Sequence, residues 1–385
     1  VDRQALPALE GTEVARTREY VAPHAGMEEQ LAALWAQLLH VERVGLHDDF
    51  FELGGHSLLA TQLVARLHGA LGVKVPLRAL FEAPTVERLA AWLEGARSEG
   101  PARHCVTLRA EGSGTPVFLV PPLGGDVGPY RELSRKLGSP RPLYGLQAPG
   151  LDGGEPPLET VEALALRYVE VVRAVRPHGP YVLGGCSMGG AVAFEMARAL
   201  ERQGQRVELL VLLDSFAGGD EAPSQAPDGA RLLTDMAMEL ARTAGVESTL
   251  QPEALEGLSD DAQLTVITRH AHEEGWLPPE VQASDLRARY NVLRASIRAH
   301  LAWRPGDYEG GPVLLLRAKD SELRHLVDAT YGWSRHVKAR LWVEDVPGDH
   351  SSMLRAPHVD TLVACLTKRL DEATEDSADD QREEG

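Results

Sequence analysis

One short stretch constrains the fold of this chain more than any other: Tyr181-Val182-Leu183-Gly184-Gly185-Cys186-Ser187-Met188-Gly189-Gly190. Tyr181 to Leu183 are apolar and β-prone, whereas Ala191, Val192, Met196, Ala199 and Leu200 recur at helical spacing up to Gly204, a stop. The pattern predicts a strand that turns sharply into a helix with Ser187 at the corner. Such a corner forces its central residue into strained dihedrals and needs positions almost free of side chain two residues before and after it, here Gly185 and Gly189. A serine held this way is a candidate nucleophile. The plainer alternative is a glycine-rich turn that packs a helix close to a sheet.

The surrounding pattern favours the nucleophile. Residues 105–108, 117–120, 143–146, 181–183, 209–213 and 313–316 are short apolar runs separated by helical segments such as 161–175, as in a largely parallel sheet covered on both faces. This predicts an α/β-hydrolase domain over 115–370, with 96–114 as a linker containing the first strand. Residues 218–284 show helical stretches (232–240, 264–272) and no comparable strand. An insertion of this size on the edge that carries the chemistry is expected to form a lid.

A serine hydroxyl needs a base, and the base needs an orienting acid; in this fold the chain order is Ser, acid, His. Asp214 ends the strand 209–213, directly after the elbow helix. Asp320, one strand later, is the alternative acid. Of 14 histidines, His350 is late in the chain, in a turn that follows the strand 341–346 and leads into a helix. Two backbone donors should face the oxyanion: the N–H of Met188, next to the nucleophile, and that of Leu123 in Pro121-Pro122-Leu123-Gly124-Gly125. The plainer reading of the second is a tight proline-glycine turn.

The amino-terminal part is different. Residues 25–95 predict a small all-α four-helix bundle: Leu31, Leu34, Trp35, Leu38 and Leu39 share one face, a second helix starts at Ser57, a short third lies near 77–81, and a fourth follows Thr85 as N-cap. Between the first two runs a loop, Asp48-Asp49-Phe50-Phe51-Glu52-Leu53-Gly54-Gly55-His56, whose aromatics can pin it onto the helices. The net charge of −18 disfavours nucleic acid and anionic membranes, which require a basic face. Part of that charge lies in 371–385, expected to be a disordered acidic tail. The three cysteines lack metal spacing and fit a reducing cytosol. No membrane span or signal peptide is visible. The chain opens without Met, as though taken from something longer.

The segment Asp48 to Leu58 resembles the phosphopantetheine-attachment motif of peptidyl carrier proteins. That likeness implies that Ser57 carries a 4′-phosphopantetheine arm, installed by a phosphopantetheinyl transferase, whose thiol holds a peptidyl thioester. Val1-Asp2-Arg3-Gln4-Ala5-Leu6-Pro7 is similar to the end of an adenylation domain, so 1–24 read as its remnant and linker. Tyr144-Gly145-Leu146-Gln147-Ala148-Pro149-Gly150-Leu151-Asp152, the elbow, Leu212-Leu213-Asp214-Ser215 and Gly348-Asp349-His350 together resemble the thioesterase domain that ends nonribosomal peptide synthetases. The resemblance implies Asp214 as the acid, upstream adenylation and condensation domains, and release of the peptide through a Ser187 acyl-enzyme, by hydrolysis or macrocyclisation. Pro121-Pro122 stands where many such domains have His-Pro. Release from a hybrid polyketide/peptide synthase, an editing thioesterase and an inactive docking module are the alternatives.

Overall fold

The computed structural model describes residues 20–71, 75–95, 101–138, 140–218, 229–243, 246–277, 281–321, 324 and 328–383. Expectations that rest on 1–19, and on 219–228 at the start of the insertion, lie outside the described residues. The chain divides into two units, Val1–Arg97 and Ser98–Gly385.

In the first unit the described helices are α1 (Met27–Leu39), α2 (Ser57–Leu71), α3 (Arg78–Glu82) and α4 (Val86–Gly95), and α1 packs on α2 and α4. Leu31, Trp35, Ala60, Leu63, Leu67, Leu80, Val86 and Leu89 are fully buried; of the face expected for α1, Leu31, Trp35 and Leu38 are buried and Leu34 and Leu39 half-buried. Thr85 caps α4, its hydroxyl accepting the Arg88 N–H at 3.3 Å. The loop before α2 is pinned from inside: Phe50 is fully buried edge-on against Trp35, and Phe51 stacks on Phe81. The Phe50 N–H also donates to Pro84 O at 2.8 Å. Burying Phe50 contributes roughly 1.5–3 kcal/mol toward holding the loop in place.

The second unit is built on a seven-stranded sheet in the order β1-β3-β2-β4-β5-β6-β7. Its strands are β1 (Cys105–Arg109), β2 (Val117–Val120), β3 (Leu143–Leu146), β4 (Tyr181–Cys186), β5 (Val207–Leu213), β6 (Val313–Ala318) and β7 (Leu341–Val346). Only β1 runs antiparallel to its neighbour. The central β2, β4 and β5 are buried at every position, as strands covered on both faces must be. One face packs on α6 (Val161–Val175) and α7 (Met188–Arg202), the other on α5 (Arg131–Lys136) and α11 (Val359–Glu383). Between β5 and β6 stand α8 (Gly229–Thr243), α9 (Asp260–Glu273) and α10 (Ala283–Ala302).

One expectation needs correcting: α11 runs unbroken to Glu383, so 371–383 are helix and not the start of a disordered tail. Leu370 and Ala373 are buried, and Thr374 accepts a hydrogen bond from Arg141 and donates to Glu208 at 3.2 Å. Arg141 and Glu208 are themselves a buried ion pair at 2.8 Å. These contacts anchor the helix beyond 370, and propagating an existing helix costs far less than nucleating one. Composition alone misses this because the acidic residues follow an apolar stripe that is already docked.

Candidate active site

Ser187 sits between β4 and α7 with φ 57 and ψ −128, outside the region a serine prefers. The two glycines that permit this are needed for space. A Cβ on Gly185 would lie 2.1 Å from Gly189 O, and one on Gly189 would lie 2.4 Å from Val120 O and 2.6 Å from Pro121 O. No side chain fits at either place. Cys186 pairs with Leu213 across β4 and β5, so Ser187 and Asp214 each stand one residue beyond the last register pair, at the same end of adjacent parallel strands. The Ser187 N–H donates to Leu213 O at 3.0 Å, which fixes the corner to the end of β5.

Asp214 is fully buried, also at positive φ (43), and its Oδ2 meets His350 Nδ1 at 2.7 Å. Oδ2 also accepts from the Ser321 hydroxyl at 2.7 Å, while Oδ1 accepts from the Ala318 N–H at 2.9 Å and the Tyr331 phenol at 3.3 Å. Burial pushes the carboxyl up, but the hydrogen bonds from His350, Ser321 and Ala318 outweigh it and hold it below the usual carboxylate range. Asp214 is thus a buried anion at neutral pH. His350 lies in a turn closed by Asp349, whose Oδ1 accepts the Ser351 and Ser352 N–H groups at 2.9 and 2.8 Å. Its side chain keeps 41% exposure, leaving the imidazole accessible on one side. Asp320, the alternative acid, is exposed, and its backbone N–H donates to Gly348 O.

Met188 is the first residue of α7, where helix N–H groups lack intrahelical partners and the dipole is positive. Leu123 is half-buried against the same apolar cluster as Met188, in a turn closed by Gly125 N–H to Pro122 O at 2.9 Å. That turn is tied to α10 by an ion pair, Arg289 to Asp126 at 3.2 Å. Cys186 is inert: burial and the charge of Asp214 push its thiol up to about 12. Trp276 is buried inside the insertion, its indole N–H donating to Glu274 at 2.7 Å, which is packing and not a surface contact. In the first unit Ser57 opens α2, after a loop in which Gly54 is exposed and Gly55 and His56 half-buried. The first turn of α2 carries no acidic residue, so the helix N-terminus suits a phosphodiester.

Ser321 and Tyr331 escaped sequence reasoning. Nothing in spacing or composition marks a serine after Asp320 or a tyrosine in a polar turn as partners of a carboxylate more than a hundred residues earlier. Among the described residues, no helix is long and apolar enough to cross a membrane.

Comparison with known proteins agrees with both units. The thioesterase domain family matches residues 115–370, and the phosphopantetheine attachment site family matches residues 29–93. Chondramide synthase cmdD of Chondromyces crocatus is 31% identical over 393 residues, covering 99% of this chain and 10% of that protein. Indigoidine synthase of Dickeya dadantii is 32% identical over 359 residues, covering 90% of this chain and 23% of that protein. The chain therefore spans a tenth to a quarter of these relatives' length. Among solved structures, the four-domain nonribosomal peptide synthetase holo-AB3403, bound to AMP and glycine, is 35% identical with a TM-score of 0.66, over 96% of this chain and 28% of that one. With an elbow serine at the end of a mostly parallel sheet and a carrier-type helical unit before it, the chain belongs to the thioesterase domain family and bears a phosphopantetheine attachment domain ahead of that thioesterase domain.

Proposed function

We propose that the second unit releases a peptidyl chain from a thioester through an acyl-enzyme on Ser187, with His350 as base and Asp214 as orienting acid, in the last steps of a nonribosomal peptide synthetase. The observation that carries this is the 2.7 Å contact between buried Asp214 and His350, on the sheet edge where Ser187 occupies its strained corner. His350, with Nδ1 committed to Asp214, has Nε2 free to take the Ser187 proton. Ser187 Oγ attacks the thioester carbonyl carbon. The oxyanion is held by the N–H of Met188 and that of Leu123, and collapse breaks the C–S bond as His350 returns the proton to sulfur. Water, or an amine or hydroxyl within the peptide, then attacks the ester under the same base and frees Ser187, giving an acid or a macrocycle.

Ser57 is the residue that would hold the phosphopantetheine arm, which supplies the thiol that carries the acyl group. The helices α8 to α10 serve as a lid. They lie between the strand bearing Asp214 and β6, and α10 is tied to the Leu123 turn through Arg289 and Asp126. Upstream condensation and adenylation domains and a phosphopantetheinyl transferase are the partners this reading requires. The test is turnover of an acyl-N-acetylcysteamine thioester by the wild type and by Ser187→Ala. Loss of turnover in a folded Ser187→Ala supports the assignment, and retained turnover removes it.

A further inference from the structure

Asp214 comes from the end of β5, yet the donors that hold its carboxylate, His350 apart, come from the end of β6 and the segment after it. Ala318, the last residue of β6, gives its N–H to Oδ1 at 2.9 Å, and Tyr331 gives its phenol to the same oxygen at 3.3 Å. The Ser321 hydroxyl reaches Oδ2 at 2.7 Å, the oxygen that also meets His350 Nδ1. Ser321 is 3% exposed and Tyr331 1%. A buried hydroxyl costs stability unless it is bonded, and both of these are spent on one carboxylate. Tyr331 reaches it from φ 51, a conformation that a bulky residue keeps only when its surroundings impose it. Asp320, beside Ser321, faces solvent.

We propose that Ser321 and Tyr331 are positioning residues that lock the Asp214 carboxylate in the one rotation in which Oδ2 holds His350 with its Nε2 turned outward. This rests on the triad reading above and deepens it. The segment after β6 serves as a shelf of donors for an acid carried by β5.

The consequence is electrostatic as well as geometric. Four donors share two carboxylate oxygens. With the Ser321 hydroxyl gone, Oδ2 has only His350 to neutralise it, so the carboxylate is a stronger partner for imidazolium. The carboxylate also loses the donor that fixes its rotation, so His350 is held less firmly in the orientation that turnover requires. Removing the Tyr331 hydroxyl acts in the same direction but more weakly, because Ala318 still serves Oδ1. Among the described residues, charged or titratable groups that act on or sense Asp214 include His350 after β7, Tyr331 and Arg324 after β6, and Cys186 in β4. Arg317 lies over the Tyr331 ring at 5.8 Å. Burial and the Asp214 charge push the Tyr331 phenol and the Cys186 thiol each up to about 12, and the bond to Asp345 pushes the Arg324 guanidinium up.

The experiment measures kcat and KM for an acyl-N-acetylcysteamine thioester from roughly pH 5 to 9 for Ser321→Ala, Ser321→Thr, Tyr331→Phe and Asp214→Asn, with melting curves for each. Ser321→Ala should lose about 10- to 100-fold in kcat with KM little changed, and Ser321→Thr should restore most of that loss. If Ser321→Ala does not fold, Tyr331→Phe carries the test, with a smaller loss in the same direction. Wild-type kcat in folded Ser321→Ala, beside an inactive Asp214→Asn, overturns the positioning roles and leaves the triad standing. An active Asp214→Asn overturns the triad reading, and the positioning roles fall with it.

Discussion

Replacing Asp214 by Asn keeps the shape of the side chain and removes its charge, and the surroundings make the outcome unusually easy to work out. Four donors point at the two carboxylate oxygens: Ala318 N–H and Tyr331 O–H at Oδ1, Ser321 O–H and His350 Nδ1 at Oδ2. An amide has one acceptor oxygen and one donor nitrogen, so its NH₂ must face donors on one side. On the Oδ1 side the Ala318 N–H cannot turn away. On the Oδ2 side the Ser321 hydroxyl can rotate to accept, and His350 can accept at Nδ1 only by moving its proton to Nε2. That tautomer cannot take a proton from Ser187. The cost of the wrong tautomer in a triad is about 10⁴-fold in kcat, or ~5 kcal/mol of transition-state stabilisation. The assay is kcat for an acyl-N-acetylcysteamine thioester, with a melting curve to show that the variant folds. Asp320→Asn, at an exposed position, should stay within a few-fold of wild type. A loss below about tenfold in Asp214→Asn, or an equal loss in Asp320→Asn, would refute the reasoning.

Gly189→Ala places a methyl 2.4 Å from Val120 O, a backbone atom that cannot yield cheaply, so the variant should melt well below wild type and lose labelling at Ser187, and a normal melting curve contradicts that account. The expected cost is about 1–3 kcal/mol or more. Burial raises the Glu274 carboxyl, but hydrogen bonds from Thr249, Trp276 and Ser248 lower it further, from 4.5 to about 2. Its stabilising contribution is therefore complete above its unfolded value near 4.5 and disappears as the pH falls toward about 2. Glu274→Gln should lower the melting temperature at neutral pH and flatten that acid-side loss; an unchanged profile argues against the assignment. Ser57→Ala should gain no mass on incubation with coenzyme A and a phosphopantetheinyl transferase, and any gain of the arm would move the attachment site elsewhere.

The centre of the sheet was legible because β2, β4 and β5 are buried at every position and so appear as apolar runs, Leu209 to Leu213 being the clearest. The elbow was legible because steric exclusion at Gly185 and Gly189 leaves a mark in local sequence. Hydrogen bonding between distant segments leaves none. The Asp214 to His350 contact spans 136 residues, and that of Asp214 with Ser321 spans 107. For the first, chain order and the positions after strands left Asp214 and Asp320 as candidate acids, and the resemblance to terminal thioesterase domains implied Asp214; the second had no such guide. The acidic run after Leu370 read as a tail because its anchor is the buried Arg141 and Glu208 pair, far away in sequence.

The most direct test of the central claim is the site of covalent modification. Treat the wild type, Ser187→Ala and His350→Ala with an alkyl fluorophosphonate, follow the intact mass with time, and map the adduct by peptide sequencing. The wild type should gain one adduct, on Ser187; Ser187→Ala should gain none, and His350→Ala should react far more slowly while still folded. An adduct on another residue, or labelling of His350→Ala at the wild-type rate, would contradict the assignment of Ser187 as a nucleophile activated by His350.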